Sequence, residues 1–527
     1  MKGNYIIMKK KLIALLLVLI LIFTSCGTQP VVCEHADIDD DGLCEFCGKP
    51  IAIGDDCNHK DDNDDGVCES CSASVIIVVD LYALNDLHGK FENSVSDIGV
   101  DEMTTYLKNM AALDEHALFL SSGDMWQGAS ASNLTDGLII TDWMNELGFV
   151  SMTLGNHEYD WGEGPVIKNA EAAEFPLLGI NVYDRDTNER VEYCDASVTV
   201  DLGEIQVGII GAIGDCYSSI SSDKVRDIYF KTGNELTALV TAEAERLRAE
   251  GADLIVYSLH DGYGRSSSGT KDISSSQISS YYQSSLSSEG VVDVVFEGHS
   301  HQSYVLRDTY GVYHLQGGGD NNGLSHAEMK VNSITGTVSL NLAEHVKESA
   351  YNSLTPDELI DDLLAKYDDV LADANVVLGV NGAKRNSTYL KNLVAKLYYE
   401  YGVEKWGEEY NIAIGGGFLS VRSPYDLAAG EVRYSQLVSL LPFDNEIHLC
   451  SISGRDLLSR FINTSNSDYF VFPTSVSDID PNGTYYIVTD SYCSQYAANR
   501  LTVIESYGAD IFARDLVAEY IKKGGLE

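Results

Sequence analysis

The sequence predicts an α/β protein with several domains. Its 527 residues indicate about three or four units as a prior, and a hydrophobic fraction of 44% supplies material for large cores. From Ser74 onward, short apolar runs of strand length alternate with amphipathic segments of helical period, a pattern typical of α/β domains. The strand-like runs are 75–84, 117–120, 150–154, 205–210, 254–257 and 291–296, and the helix-like runs are 102–113 and 235–249.

The charge of the chain limits its partners. It carries 80 acidic and 35 basic residues, for a formal net charge of −45. A nucleic-acid polymer would be repelled over most of such a surface, so we expect none as a partner. Cations and small molecules remain compatible with this charge.

The N-terminal segment has the pattern of an export signal. Lys9 to Lys11 form a basic region, and residues 12–23 form an apolar run of 12 residues, which is short for a membrane span. Cys26 follows directly, an arrangement that resembles a bacterial lipoprotein cleavage site. We therefore expect residues 1–25 to be a signal peptide, Cys26 to carry a lipid anchor, and the protein to be an extracytoplasmic, membrane-anchored lipoprotein. Secretion with an incidental cysteine is the alternative.

Residues 26–73 contain a tandem repeat with the pattern C-x-H-x8-C-x2-C. Three thiolates and one imidazole per copy match a closed tetrahedral zinc site, so we expect one structural zinc in each. Disulfide-bonded modules are a second interpretation. Calcium binding through the D-x-D-x-D-G spacing is a third, although the usual bidentate Glu is missing. The predicted zinc ligands are Cys33, His35, Cys44 and Cys47 in the first copy and Cys57, His59, Cys68 and Cys71 in the second.

Five short polar segments follow the apolar runs of the α/β region. They read NDLHG at 85–89, GD at 123–124, GNHEYD at 155–160, HDG at 260–262 and GHSH at 298–301. Side chains just beyond the carboxyl ends of strands in an α/β sheet converge on one crevice. Carboxylate, imidazole and amide groups suit Zn²⁺, Mn²⁺ or Fe²⁺, and two such ions about 3.5–4 Å apart can activate water and clamp a phosphate.

The order D-x-H, G-D, G-N-H-E, H and G-H-x-H resembles the calcineurin-like metallophosphoesterases. The forms NDLHG, GNHEYD and GHSH resemble the 5′-nucleotidase and UDP-sugar hydrolase branch, over roughly residues 76–345. The resemblance implies a four-layer α/β sandwich, two divalent metal ions (Zn, Mn or Fe) and a bridging hydroxide as nucleophile. It implies that Asp86, His88, Asp124 and His301 hold one metal, that Asp124, Asn156, His260 and His299 hold the other, and that His157, oriented by Asp160, stabilises charge on the phosphoryl group.

The C-terminal region carries a second set of motifs. NIAIGGGF at 411–418, Arg422 and LPFDN at 441–445 resemble the C-terminal 5′-nucleotidase domain, over roughly residues 377–527. Two departures stand out: Arg422 follows the glycines later than in the family, and SYCSQYAAN replaces the second aromatic motif, with Tyr492 as an alternative stacking residue. The resemblance implies a nucleotide-binding domain in which the substrate contacts are Gly416, Gly417, Arg422, Phe443 and Tyr496.

The predicted protein is an extracytoplasmic two-metal phosphoesterase that hydrolyses nucleotide-type phosphate esters, with a small-molecule nucleotide as its substrate and its protein partners left open. UDP-sugar hydrolase and 2′,3′-cyclic-nucleotide phosphodiesterase are alternatives, as is an inactive cation-binding or adhesion protein. The predicted layout is a signal peptide at 1–25, repeats at 26–73, a metallophosphoesterase domain at 74–345, a linker helix at 346–376 and a smaller α/β substrate-binding domain at 377–527.

Overall fold

The structure is a computed structural model that describes residues 59–92, 99–263, 291–308, 310–418, 421, 426–462, 469–472, 479–497, 499–507 and 511–527. The predicted signal peptide and the first cysteine repeat lie outside the described residues. The individual predicted sites that also lie outside them are Cys26, Cys33, His35, Cys44, Cys47, Cys57 and Arg422.

The chain divides into two compact units, residues 1–75 and residues 76–527. In the first unit, an antiparallel bridge joins Val67 to Ser74, and Cys68 is fully buried. Among the helices in the described part of the chain, none combines the length and the apolar character that crossing a membrane requires.

The first part of the second unit alternates strands and helices, as the sequence pattern predicts. Its elements are β1 (Ile76–Leu84), α1 (Asp101–Leu113), β2 (Ala117–Ser121), α2 (Ser130–Leu134), α3 (Leu138–Glu146), β3 (Ser151–Thr153), α4 (Glu163–Ala172), β4 (Leu177–Leu178), β5 (Val182–Asp184), β6 (Ser197–Asp201), β7 (Gln206–Ile213), β8 (Ile228–Phe230), α5 (Asn234–Ala249), β9 (Leu254–His260), β10 (Val294–Glu297), β11 (Ser303–Arg307), β12 (Tyr313–Gly317), β13 (Gly323–Asn332) and β14 (Val338–Lys347).

Twelve of these strands form two six-stranded sheets that pack against each other, and β5 pairs with β8 in a separate two-stranded sheet. Sheet one has the order β14-β13-β1-β2-β3-β4, and sheet two has the order β11-β12-β10-β9-β7-β6. Alternation along β1 explains the packing: Val79, Leu81 and Ala83 enter the core between the sheets, whereas Tyr82 and Leu84 face the opposite side. The central strands of each sheet run parallel, so their carboxyl ends lie at the same edge.

Helices cover the outer faces of both sheets. On sheet one, α1 and α3 contribute to a large core that includes the buried rings of Trp143 and Phe149. On sheet two, α5 presents Leu236, Val240 and Leu247 at helical spacing to the core. The resulting order of layers is helix, sheet, sheet, helix, which confirms the predicted four-layer α/β sandwich.

The segment that joins the two domains differs from the single predicted linker helix. Strand β14 continues to Lys347, beyond the predicted boundary at 345, and two short helices follow, separated at Tyr367. The hydroxyl of Tyr367 is hydrogen-bonded to the carboxylate of Asp142 in α3 at 2.5 Å, so this residue is tied to the first domain where the helix breaks. The two helices are α6 (Leu359–Lys366) and α7 (Asp368–Ala372).

The C-terminal region forms a smaller α/β domain. Its elements are β15 (Val377–Asn381), α8 (Ser387–Trp406), β16 (Ile412–Phe418), β17 (Gly430–Arg433), α9 (Tyr434–Leu440), β18 (Ile447–Ser453), α10 (Gly454–Asp456), β19 (Tyr469–Phe472), β20 (Thr484–Asp490), α11 (Ser491–Tyr496), β21 (Leu501–Tyr507) and α12 (Ala513–Lys522). A five-stranded sheet of order β19-β16-β20-β18-β21 packs against α8, which is capped at its start by the Asn386 side chain accepting from the Tyr389 backbone N–H at 2.9 Å.

Candidate active site

All seven predicted metal ligands lie at the carboxyl ends of parallel strands. The sequence pattern predicts convergence at the edge of one open sheet, and the structure instead draws the ligands from two packed sheets. In sheet one, Asp86 and His88 follow β1, Asp124 follows β2 and Asn156 follows β3. In sheet two, His260 is the last residue of β9, and His299 and His301 follow β10.

Asp86, His88 and His301 form the first group, with one ligand atom of each lying within 4.8 Å of the others. Nδ1 of His88 lies 2.9 Å from the carbonyl of Gln127 and donates to it, so the lone pair of the neutral ring is on Nε2. That Nε2 faces Nε2 of His301 at 3.0 Å, and Nε2 of His301 lies 3.4 Å from Oδ1 of Asp86. Two imidazole nitrogens and a carboxylate oxygen that converge in this way fit a divalent cation.

Asp124, Asn156, His260 and His299 form the second group. Nδ1 of His260 donates to the carbonyl of Ser122 at 2.6 Å, and its Nε2 faces Oδ1 of Asn156 at 3.2 Å. Oδ1 of Asn156 also lies 2.8 Å from Nδ1 of His299. Oδ2 of Asp124 is buried and makes no hydrogen bond, although Nε2 of His260 is 3.1 Å away. A buried carboxylate oxygen is costly to leave unpaired, so this group also fits a cation.

Burial and close charges shift the pKa values of the side chains in the second group. Burial raises the pKa of the Asp124 carboxyl, but the imidazoles of His260 and His157 outweigh it and hold that pKa well below its usual range. Burial lowers the pKa of His260, but the Asp124 carboxylate outweighs it and raises that pKa to about 10. Burial and the nearby His260 lower the pKa of His299 to about 3. A metal ion that binds Asp124 and His260 takes the place of the proton.

The backbone around the site is strained, and this strain was not predicted from the sequence. A Cβ on Gly155 would lie 2.3 Å from Oδ1 of Asp124, so only glycine lets that strand end approach the carboxylate. Left-handed φ angles in non-glycine residues cost about 1–3 kcal/mol each and cluster at functional sites. Five of the predicted ligands have such angles: Asp86 (50°), His88 (52°), Asp124 (56°), His299 (68°) and His301 (53°).

Glu158 organises the Asp124 loop and has no predicted role in the sequence analysis. Its buried carboxylate accepts four backbone N–H groups, those of Asp124 (2.9 Å), Met125 (2.8 Å), Trp126 (3.3 Å) and Gly155 (2.7 Å). Burial, reinforced by the charge of Asp124, raises the pKa of Glu158 to about 7. The sequence signal was its place beside two predicted site residues in GNHEYD, but its function depends on two loops that meet only in the fold.

His157 stands beside both groups and is tied to two carboxylates. Its Nδ1 lies 2.7 Å from Oδ2 of Asp160, and its backbone N–H donates to Oδ1 of Asp124 at 2.8 Å. The side chain of His157 is 24% exposed, so a substrate can reach it. The ring of Phe443, in the C-terminal domain, lies 6.2 Å from the His157 ring between centroids. The structure therefore brings Phe443 to the predicted catalytic residues.

The other predicted substrate contacts are brought to the site less directly. Gly416 and Gly417 lie inside β16, paired with Val471 and Phe470 of β19, and thus belong to the sheet rather than to a loop. Tyr496 is the last residue of α11, and its side chain is outside the described atoms, as is the whole of Arg422.

Gln495, which precedes Tyr496, connects the two domains, and this role was not predicted from the sequence. The side chain of Gln495 accepts from the backbone N–H of Ser222 at 2.5 Å and donates to the carbonyl of Ile220 at 3.0 Å. These two bonds hold the last turn of the C-terminal domain's α11 against the segment between β7 and β8 in the first domain.

The second cysteine repeat forms a separate cluster in the first unit. His59, Cys68 and Cys71 each place one ligand atom within 4.8 Å of the others, and Nδ1 of His59 lies 3.3 Å from the Cys71 sulfur. The backbone N–H of Lys60 donates to the Cys68 sulfur at 3.5 Å and lowers the pKa of this thiol to about 5. Three of the four predicted ligands of this copy are therefore together, and the fourth, Cys57, lies outside the described residues.

The acidic residues of the same repeat are engaged by its own backbone. Asp61 accepts the N–H groups of Asp65 at 3.0 Å and Gly66 at 2.9 Å through its two oxygens. Asn63 accepts the same Asp65 N–H at 3.0 Å. These bonds define a turn at residues 61–66.

Several known proteins are similar to this chain in sequence or in fold. Residues 80–303 match the calcineurin-like phosphoesterase family. The apyrase of Tabanus yao is 23% identical over 422 residues, covering 72% of this chain and 72% of that protein. Protein UshA of Yersinia enterocolitica is 23% identical over 468 residues, covering 77% of this chain and 83% of that protein. The crystal structure of a 5′-nucleotidase precursor from Thermus thermophilus has the same fold, with a TM-score of 0.63, 19% identity and coverage of 85% of this chain and 96% of that one.

The replacement Glu158→Gln tests how the Asp124 loop is held. The amide keeps the size of the side chain but turns one acceptor into a donor that faces backbone N–H groups. Outer-shell changes of this kind weaken metal binding by roughly 10–100-fold. We expect such a loss in Mn²⁺ affinity, measured by electron paramagnetic resonance of the free ion.

Glu171→Gln is the matched control, because Glu171 is exposed in α4. It should leave the Mn²⁺ affinity at the wild-type value. Equal affinities in wild type and Glu158→Gln would show that Glu158 does not support the site.

Proposed function

We propose that this chain, whose residues 80–303 form a calcineurin-like phosphoesterase domain, hydrolyses phosphate esters of nucleotides with two divalent cations. The observation that carries the proposal is the convergence of two groups of carboxylate, imidazole and amide ligands around the buried Asp124. The similar proteins named apyrase and 5′-nucleotidase support nucleotides as the substrate class.

The proposed cations are Zn²⁺, Mn²⁺ or Fe²⁺, because the predicted ligands donate imidazole nitrogens and carboxylate or amide oxygens. When bound, two such cations activate a water molecule and neutralise charge on the phosphoryl oxygens. Asp86, His88, Asp124 and His301 would hold one cation, and Asp124, Asn156, His260 and His299 the other.

His157 is proposed to act on the phosphoryl group without holding a cation. The 2.7 Å contact with Asp160 stabilises the protonated ring and turns Nε2 away from that carboxylate. The bond from its backbone N–H to Asp124 places the ring next to the shared ligand. A positive donor fixed in this position stabilises negative charge as it develops on a phosphoryl oxygen.

The C-terminal domain is proposed to bind the rest of the nucleotide. Phe443 is half-buried beside His157, so a phosphoryl group at His157 lies within reach of an aromatic face. Aromatic rings stack on nucleobases of any sequence. Gly416, Gly417, Arg422 and Tyr496 complete the proposed contacts.

We also propose that the protein is extracytoplasmic and carries a lipid on Cys26. The pattern of residues 9–26 supports this location. Loss of membrane association in the Cys26→Ser variant is the measurement that tests it.

Two replacements separate the proposed roles within the site. In protein lacking residues 1–26, with Mn²⁺ and AMP, His157→Ala should lower kcat by roughly 10²–10⁴-fold while both cations stay bound, because it removes a donor and no ligand. Asp124→Asn should lower both turnover and Mn²⁺ content, because one carboxylate serves both groups. Phosphate release and metal content are the measurements.

His116→Ala is the control, since the His116 ring lies 3.3 Å from the Val78 carbonyl, near the end of β1 opposite to the ligands. UDP-glucose and a 2′,3′-cyclic nucleotide are run beside AMP, with their nucleotide products separated by chromatography, because the first hydrolysis of either compound releases no free phosphate. If either compound is hydrolysed faster than AMP, it replaces AMP as the proposed substrate. Absence of hydrolysis in wild-type protein that contains two Mn²⁺ ions would refute the enzymatic proposal.

Phe443→Ala tests base recognition. Stacking of a base on an aromatic ring contributes about 1–3 kcal/mol, so the KM for AMP should rise by roughly tenfold or more. Ribose 5-phosphate lacks the base and should keep its KM in the variant. A parallel increase for both substrates would show that Phe443 supports the site in another way.

We also propose that each cysteine repeat binds one structural zinc ion. The support is the cluster of His59, Cys68 and Cys71, in which the buried Cys68 sulfur accepts a backbone N–H. A module this small requires a metal or cross-link to fold.

Cys71→Ser tests the zinc proposal. It should lower the zinc content of the purified chain by about one ion, measured by elemental mass spectrometry, because it removes one of four ligands. Hydrolysis of AMP by the same protein should be unchanged. An unaltered zinc content would contradict the proposal.

A further inference from the structure

The segment that carries His299 and His301 is a short turn with an unfavourable backbone. It joins β10 to β11, and both histidines have left-handed φ angles, 68° and 53°. The two residues belong to different ligand groups, so a shift of this one turn displaces a ligand from each. Strain of this kind persists only where the surroundings fix the conformation.

Gln316, in β12, is the residue that fixes this turn. Its Oε1 accepts from the Ser300 hydroxyl and from the Gln302 backbone N–H, each at 2.8 Å. Its Nε2 donates to the Gly298 carbonyl at 2.8 Å and to the Tyr304 hydroxyl oxygen at 3.1 Å. The amide therefore contacts residues before, between and after the two histidines.

These four bonds use the full capacity of one amide. Oε1 has two lone pairs and Nε2 has two hydrogens, and the turn occupies all of them. Gln316 is fully buried, and a Cβ on Gly262 would lie 2.2 Å from its Nε2. The glycine of the HDG motif thus leaves the room that the amide occupies.

A series of polar side-chain contacts anchors Tyr304, which is one of the partners of Gln316. The Tyr304 hydroxyl donates to the carboxylate of Glu297, and Oε1 of Glu297 lies 3.0 Å from Nδ1 of His314. Nε2 of His314 lies 3.4 Å from the carboxylate of Asp308. Tyr304 is therefore anchored on one side and bonded to the Gln316 amide on the other.

We propose that Gln316 is a positioning residue that sets the placement of His299 and His301, and through them the affinity of both cation sites. The inference rests on the proposed function, because it assumes that these histidines hold cations. It makes one amide, bonded to residues on both sides of the two histidines, responsible for a ligand in each group. Replacements that disturb ligand orientation in this way weaken metal binding by roughly 10–100-fold.

Gln316→Glu in the full-length protein is the test. The side chain keeps its size, but a carboxylate then faces the Gly298 carbonyl, which has no proton to give. We expect roughly 10–100-fold weaker binding of both Mn²⁺ ions, followed by electron paramagnetic resonance, and recovery of AMP turnover at high Mn²⁺. Ser300→Ala removes one of the four bonds with little change in volume, and should weaken Mn²⁺ binding by a few-fold.

Asn169→Asp is the matched control. Asn169 is also a fully buried amide, bonded to Thr141 at 2.6 Å, Asp136 at 2.7 Å and Pro165 at 2.8 Å, but in α4 and away from the ligands. It should lower the melting temperature and leave the Mn²⁺ affinity unchanged.

Two results decide the matter. If Gln316→Glu and Ser300→Ala bind Mn²⁺ as tightly as wild type, whatever their melting temperatures, the proposal is overturned. If Mn²⁺ binding weakens in both variants while wild-type protein fails to hydrolyse AMP, the positioning role stands and the proposed function fails.

Discussion

The architecture depends on one buried carboxylate. Asp124 is almost completely removed from solvent, has a left-handed backbone and leaves Oδ2 without a hydrogen bond. Such a group is unfavourable unless positive charge meets it. The fold supplies imidazoles from both sheets around it and, through Glu158, four N–H bonds that prevent its loop from relaxing. The free-energy cost of burying Asp124 in a strained loop is therefore coupled to the capacity to bind cations.

The two-sheet arrangement explains how short loops achieve this. Parallel strands from facing sheets end at the same edge, so each loop needs to supply only one or two ligands. The loops are tight, with left-handed residues at five ligand positions, and two of them are fixed by a side chain from elsewhere: the Asp124 loop by Glu158 and the His299 turn by Gln316. Precision comes from buried hydrogen bonds that connect one loop to another.

The sequence predicted the elements well and selected side chains that the fold brings together at strand ends, because both leave local signals. Alternation along β1 and the polar residues after each strand are properties of neighbouring residues. The roles of Glu158, Gln316 and Gln495 could not be predicted, since each acts on a segment distant in the chain: 34 residues for Glu158 to Asp124, 16 for Gln316 to Ser300 and 273 for Gln495 to Ser222. The broken linker likewise depends on a contact between Tyr367 and Asp142 that no periodicity encodes.

The charge of the chain and the proposed substrate set a further constraint. A formal charge of −45 opposes the approach of an anionic phosphate, so the attraction has to be local. The two proposed divalent cations bring four positive charges against two ligand carboxylates, Asp86 and Asp124, and the remaining ligands are neutral. His157 adds positive charge on the accessible side when protonated. A ligand set with few carboxylates thus gives the site a net positive charge within an acidic protein, which suits a phosphate ester better than a cationic or neutral substrate.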